Sequence, residues 1–255
     1  SFADMMIGAL NDQFGVGHMG VPAENVAAES QLTREQQDAF AVESQKRASA
    51  AIEAGKFKSQ ILPIEVKVKR EMVPFDTDEH VKAGTTLESL AKLRPAFKKD
   101  GSVTAGNASG INDGAAALVL SSAEAADKAG LKPRAKLLGY AIAGVRHEVM
   151  GIGPVPAVTK LLQKLDMTAD QFDVIESNEA FAAQACAVNA GLGLNTDKVN
   201  PNGGAIALGH PIGATGAIIS IKTLYELERT GGTFGLVTMC IGGGQGIALA
   251  FESLL

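Results

Sequence analysis

Apolar side chains recur along the chain with two spacings, one near a helical turn and one of strict alternation, and the spacing switches several times. At the start, Phe2, Met5, Met6, Ile7 and Leu10 follow helical spacing. Thr33 with Gln36 forms a capping box, which predicts a helix from there to about Ala54, with Gly55 suited to the left-handed closing cap. Ile64, Val66 and Val68 then alternate with Glu65, Lys67 and Lys69, the period of a strand with one wet face. Thr85 with Glu88 predicts a short helix over Leu87 to Leu93, ending near Pro95.

From Asn107 onward short apolar runs alternate with amphipathic stretches, which predicts an α/β layer architecture. Ala115 to Leu120 reads as a buried strand, Ser121 with Glu124 as the start of a helix closed near Gly130, and Ala135 to Ala143 as a second strand. Pro154 suits the first turn of a helix whose Val158, Leu161, Leu162 and Leu165 share a face. Phe172 to Glu176 reads as a strand, and Glu179 to Ala190 and Gly213 to Arg229 as helices. Phe234 to Cys240 and Gly246 to Glu252 form a hairpin across Gly242, Gly243 and Gly244.

Composition narrows the function classes. With 46% hydrophobic and 20% charged residues over 255 positions, the chain has enough apolar content to bury a core, and disorder is excluded. A net charge of −5 with no basic block argues against nucleic acid, and no apolar run approaches the ~18 residues of a membrane span. Two cysteines, Cys186 and Cys240, build neither a disulfide framework nor a CxxC knuckle, so a reducing, cytoplasmic setting is expected. The chain opens at Ser1 directly in a helical pattern, without a basic leader segment, which suggests a longer parent chain.

Reactive groups gather in four loops: Gly17 to Gly20, Ser177 to Phe181, Asn202 to Pro211, and Cys240 to Gly244. Cys240, ahead of three glycines, is either a proton-exchanging thiol beside free backbone N–H groups or a small buried hydrophobe. Cys186, inside an alanine-rich stretch, reads as the latter. His210, between Gly209 and Pro211, is either an acid–base group or a surface histidine. Asn178 either caps a helix or orients a water or carbonyl. The glycine-rich Gly209 to Gly216 lacks the GK[ST] ending of a P-loop, and Gly106 to Gly110 misses GxSxG by one position.

Taken together, these loops resemble the signature blocks of the thiolases, and within them those of the acetyl-CoA acetyltransferases. The carrying strings are NEAFAAQ (Asn178 to Gln184), NGGAIALGHPIGATGA (Asn202 to Ala217) and CIGGGQG (Cys240 to Gly246). GHMGVPAENVA (Gly17 to Ala27) and LRPAFKKDGSVTAGNASGINDGAAA (Leu93 to Ala117) are similar to the family's loop domain and its return to the core. The resemblance implies a layered α/β/α thiolase-like fold with an intact C-terminal half, a largely missing N-terminal half and an α-rich loop domain. It divides the chain into a loop domain at 1–110, a remnant of the N-terminal core at 111–134 and the C-terminal domain at 135–255.

The resemblance also implies roles. His210 matches the base that activates a nucleophilic cysteine, Cys240 the thiol that moves the α-proton, Asn178 the holder of an oxyanion-hole water, and Gly242 a backbone donor to a second oxyanion. Leu10, His18, Met19, Ser89, Leu90, Ala96, Phe97, Ala105, Ser109, Ala180 and Phe181 match the pantetheine and adenine tunnel, with Met150 at the acyl end and Lys82 able to meet CoA phosphate. Acyl-CoA is thus the expected substrate, with no tightly bound cofactor and no metal. The expected assembly is a homo-oligomer, or a complex with an N-terminal remainder. Neither cysteine matches the acyl-carrying nucleophile, so the implied reaction, condensation of two acetyl-CoA or the reverse thiolysis, is not expected of this chain alone. Two other readings are a 3-ketoacyl-CoA thiolase of fatty-acid breakdown and a non-catalytic acyl-CoA-binding fragment.

Overall fold

The computed structural model describes residues 4–255; Phe2, the first member of the opening apolar pattern, lies outside the described residues. The rest of that pattern forms α1 (Met5–Leu10), whose first turn is closed by the Asp4 carboxylate accepting from the Met6 and Ile7 amides. A short hairpin, β1 (Asn11–Asp12) and β2 (Gly17–His18), leads into α2 (Gly20–Glu29). The long α3 (Arg34–Glu53) carries the expected capping box, and Gly55 takes the left-handed conformation just past its end, at φ +68°.

The alternating stretch is β3 (Ile64–Val68), and it pairs antiparallel with β4 (Glu71–Phe75), a strand the sequence pattern did not announce. Two cap assignments shift by one residue. Thr86, not Thr85, caps α4 (Leu87–Ala91), with Ser89 completing the box, because the Thr85 hydroxyl instead donates to the Lys82 carbonyl at 2.7 Å. Ser122, not Ser121, caps α5 (Ala123–Lys128).

The expected strand at Ala115 to Leu120 does not form. The segment has no ladder partner among the described residues, and Val119 and Leu120 are 92% and 81% exposed. Apolar content gave the segment a strand's composition, but a strand forms only where a neighbour accepts its backbone hydrogen bonds.

The C-terminal part is a layered α/β unit. Its elements are β5 (Ala135–Gly144), α6 (Pro154–Leu165), β6 (Val174–Ser177), α7 (Ala182–Leu192), α8 (Ala205–Leu208), α9 (Thr215–Thr230), β7 (Phe234–Ile241) and β8 (Gln245–Ser253). The sheet runs β5-β8-β7-β6, with β6 parallel to β7 and the other neighbours antiparallel; Val199 adds a single parallel bridge to Ile175 at the outer side of β6.

Side-chain alternation divides the sheet between two helical layers. Ile175, Leu236, Ala248 and Ala250 pack with Val158 and Leu161 of α6 and with Phe172, forming the main core. Val237 and Phe251, one position out of phase, pack with Ile219 of α9 on the opposite face. Leu162 and Leu165 flank the main core half-buried, so the expected α6 face is the buried one.

Candidate active site

Asn178 stands directly after β6 and Cys240 near the end of the neighbouring parallel strand β7, at the carboxyl edge of the sheet where open α/β folds bind ligands. The Asn178 amide N–H continues the ladder by donating to Thr238 O at 3.0 Å, which fixes the turn in which Asn178 is 2% exposed. Its side-chain Nδ2 lies 3.5 Å from His210 Nε2, while its Oδ1 is buried without a partner among the described residues.

His210 is carried on a turn opened by Gly209 at φ +98°, a conformation that suits glycine. Its Nδ1 lies 2.7 Å from Thr215 Oγ1, and that hydroxyl donates to Pro211 O at 3.0 Å. The hydroxyl's one proton being so used, Thr215 accepts from Nδ1–H, and Nε2 is left as the basic nitrogen facing Asn178. Burial lowers the imidazole to about 4, so the ring is neutral at physiological pH.

Cys240 packs with Met19, Met150, Ala180 and Phe181, with Phe97 and Ala108 alongside. Burial pushes its thiol up to about 12, so it holds its proton at rest. Cys186, on α7, is pushed up to about 11 by burial and by the nearby Glu179 carboxylate.

The N-terminal segment closes over this thiol. His18 stacks on Phe97 at 4.8 Å between ring centres, and Phe97 meets Phe181 edge-on at 6.1 Å. Gly242 lies in the β7–β8 turn where a Cβ would come within 2.9 Å of Met19 Cε, so a glycine lets the turn approach the methionine. Ser109 donates both its amide and its hydroxyl to Ala180 O, at 3.0 and 2.9 Å, and the Leu10 carbonyl accepts from Met19 N at 2.8 Å.

The remaining expected ligand-lining residues lie apart from this cluster. Leu90 is buried against Ala41, Ala182 and Ile206; Ser89 is exposed and engaged in its own cap; Ala96, Ala105 and Lys82 are exposed.

Four residues of the site's support escaped the sequence reading. Glu179 is fully buried and accepts from Ser44 Oγ at 2.6 Å, Asn200 Nδ2 at 2.8 Å and Ile206 N at 3.3 Å, tying α3 to the strand ends. Burial holds its pKa above the ordinary carboxylate range despite these donors. Thr215, Asn112 and His80 surround the His210 turn. A glutamate following the Asn178 turn was visible as a letter, but polar contacts between segments tens of residues apart leave no period to read.

Comparison with known proteins agrees with this architecture. Residues 1–124 match the thiolase N-terminal domain family and residues 131–253 the thiolase C-terminal domain family. The chain belongs to the thiolase family. It is 58% identical over 252 residues to the beta-ketothiolase BktB of Cupriavidus necator, covering 98% of this chain and 64% of that protein. A crystal structure of the Bacillus anthracis acetyl-CoA acetyltransferase superposes with a TM-score of 0.96 at 49% identity, covering 100% of this chain and 64% of the other. A crystal structure of human mitochondrial 3-ketoacyl-CoA thiolase in complex with CoA gives 0.91 at 42% identity, covering 99% and 63%. The chain thus spans about two thirds of the length of these relatives. No helix among the described residues is long and apolar enough to cross a membrane.

Proposed function

We propose that the protein is an acetyl-CoA acetyltransferase of the thiolase family, and that this chain supplies the groups that move the α-proton and hold the oxyanions. Cys240 would take the α-proton of acetyl-CoA as thiolate during condensation and return it as thiol during thiolysis. His210 Nε2 would receive the proton of an attacking thiol; the resulting imidazolium, with a water held by Asn178, would meet the thioester oxygen, and the Gly242 N–H would serve the second oxyanion. Neither Cys186 nor Cys240 is assigned the acyl-carrying role. CoA would lie along the segments carrying Leu10, His18, Met19, Phe97, Ser109, Ala180 and Phe181, with the exposed Ser89, Ala96 and Ala105 and the buried Leu90 further along it and Lys82 at its phosphates. Met19 and Met150 beside the thiol favour a short acyl group over a long one.

The observation that carries this reading is the Asn178–His210 contact at the same sheet edge as the buried Cys240 thiol. The two free cysteines favour a cytoplasmic setting. The division into 1–110, 111–134 and 135–255, and assembly as a homo-oligomer, belong to the same proposal.

Exchange of the acetyl-CoA methyl protons in D2O, followed by NMR, tests the reading on the chain as it stands, since it requires no acyl carrier. We expect exchange that Cys240→Ala reduces by about 100-fold or more, in the range of general acid–base effects. Saturable binding of acetyl-CoA with no exchange would instead support a non-catalytic binder, and faster α-proton exchange in a long-chain acyl-CoA would favour the fatty-acid thiolase.

A further inference from the structure

We infer that Asn112 is a positioning residue for His210 and that His80 holds Asn112 in place, an inference that rests on the thiolase reading. Asn112 lies just before the segment that fails to become a strand. Its neighbour Ile111 forms a one-residue parallel bridge with His210, and Asn112 Oδ1 accepts from the His210 backbone N–H at 3.1 Å. Its Nδ2 lies 3.4 Å from His80 Nδ1, the amide donating to the ring nitrogen.

Two glycines make room for the arrangement. A Cβ on Gly209 would stand 2.6 Å from Asn112 Oδ1, and one on Gly110 would stand 2.8 Å from the same oxygen and 3.0 Å from His80 Nδ1. The left-handed Gly209 turn and the Asn112 amide therefore fill the same space from two sides, so the carbonyl oxygen of Asn112 fixes both the height and the direction of the turn that presents the imidazole. Thr215 fixes the ring from within the turn; Asn112 fixes the backbone from outside it.

His80 lies two residues before Lys82, and Asn112 three residues after Ser109. The segments assigned to the CoA arm and the anchor of the basic imidazole are thus one continuous support. A shift of His80 or Asn112 would move Nε2 out of line with Asn178, and with it the water that Asn178 would hold at the thioester oxygen, while leaving the apolar lining around Cys240 in place. The expected signature is a loss in rate at saturation rather than in affinity.

The test uses the whole chain, with acetyl-CoA methyl exchange in D2O and the NMR titration of the His210 ring as two readouts. We expect Asn112→Ala to lower exchange at saturating acetyl-CoA by about 10-fold, with half-saturation changed by less than about 2-fold, and to raise the His210 midpoint towards that of a free histidine as the turn opens to water. His80→Phe should lower exchange by a smaller factor. Asn112→Asp, which keeps the accepting oxygen for the His210 amide but loses the donor to His80, should retain more of the rate than Asn112→Ala; its carboxylate raises the His210 midpoint by charge, so this variant is read by rate alone and serves as the folded comparison if Asn112→Ala is unstable.

An Asn112→Ala protein with wild-type exchange and an unmoved His210 midpoint would overturn the inference, as would a loss confined to half-saturation. A folded Asn112→Asp with the alanine variant's loss would also overturn it. If the wild type shows no exchange, the thiolase reading fails by itself; the His210 midpoint in Asn112→Ala still decides the positioning role.

Discussion

The two titrating residues at the centre of the site are shifted in opposite senses by the same cause. Removal from water disfavours charge, so His210 falls to about 4 and stays neutral, while Cys240 rises to about 12 and stays protonated. The resting site therefore offers a free base and a loaded acid. Because thiolate is the scarce species, acetyl-CoA methyl exchange should climb steadily with pH, by up to tenfold per unit and without a plateau up to about pH 10; a plateau near pH 8 in a pH–rate series would show that Cys240 is not the titrating base.

Stability carries the other half of the same argument. His210 has a folded value below its ordinary 6.5, so between about 6.5 and about 4 the unfolded chain binds the proton that the folded chain refuses. Stability from this group is full above about 6.5 and is lost as pH falls to about 4, with a slope of at most about 1.4 kcal/mol per unit. Glu176, held near 7 mainly by burial, acts with the opposite sign between its ordinary 4.5 and 7, so the wild-type profile mixes the two. Subtracting the urea-unfolding profile of His210→Asn isolates the histidine: the wild type should lose stability relative to the variant between pH 6.5 and 4.

At the scale of elements, the site depends on how closely β8 approaches the start of α6. Neither Gly153 nor Gly246 has a positive φ; what they supply is space, for a Cβ on Gly246 would fall within the backbone of Gly153 and Pro154. We expect Gly246→Ala to destabilise by about 1–3 kcal/mol through overpacking, measured as a shift in the urea midpoint at unchanged m-value. Because Cys240 pairs with Gly246 across the hairpin, exchange should fall as well.

The same hairpin shows what a sequence can carry. Two apolar runs around Gly242 to Gly244 announced β7 and β8, and Thr33 with Gln36 announced α3, because alternation and capping are local. Ala115 to Leu120 had the same apolar content and failed as a strand for want of a neighbour. Asn178, His210 and Cys240 could be chosen by residue type and motif, whereas Asn112 and His80 could not, since their only signal is a contact between distant segments.

Over the whole molecule, apolar burial is uneven. The C-terminal unit encloses its core between α6 and α9, yet Leu118, Val119 and Leu120 stand exposed on the unpaired segment, and Leu137, Tyr140 and Ile142 on β5, which is an edge of the sheet. Edge strands and large apolar faces both favour association, so the chain taken alone should bind a hydrophobic dye and associate with rising concentration. Charge on the extended segment opposes this without touching either core, since neither Val119 nor Leu120 belongs to a core cluster. The double variant Val119→Asp, Leu120→Asp should therefore lower dye fluorescence and raise the concentration at which sedimentation detects larger species, while its unfolding free energy changes by no more than about 0.5 kcal/mol. A loss of several kcal/mol would mean that the segment packs in solution, and that its apolar pattern serves a buried contact after all.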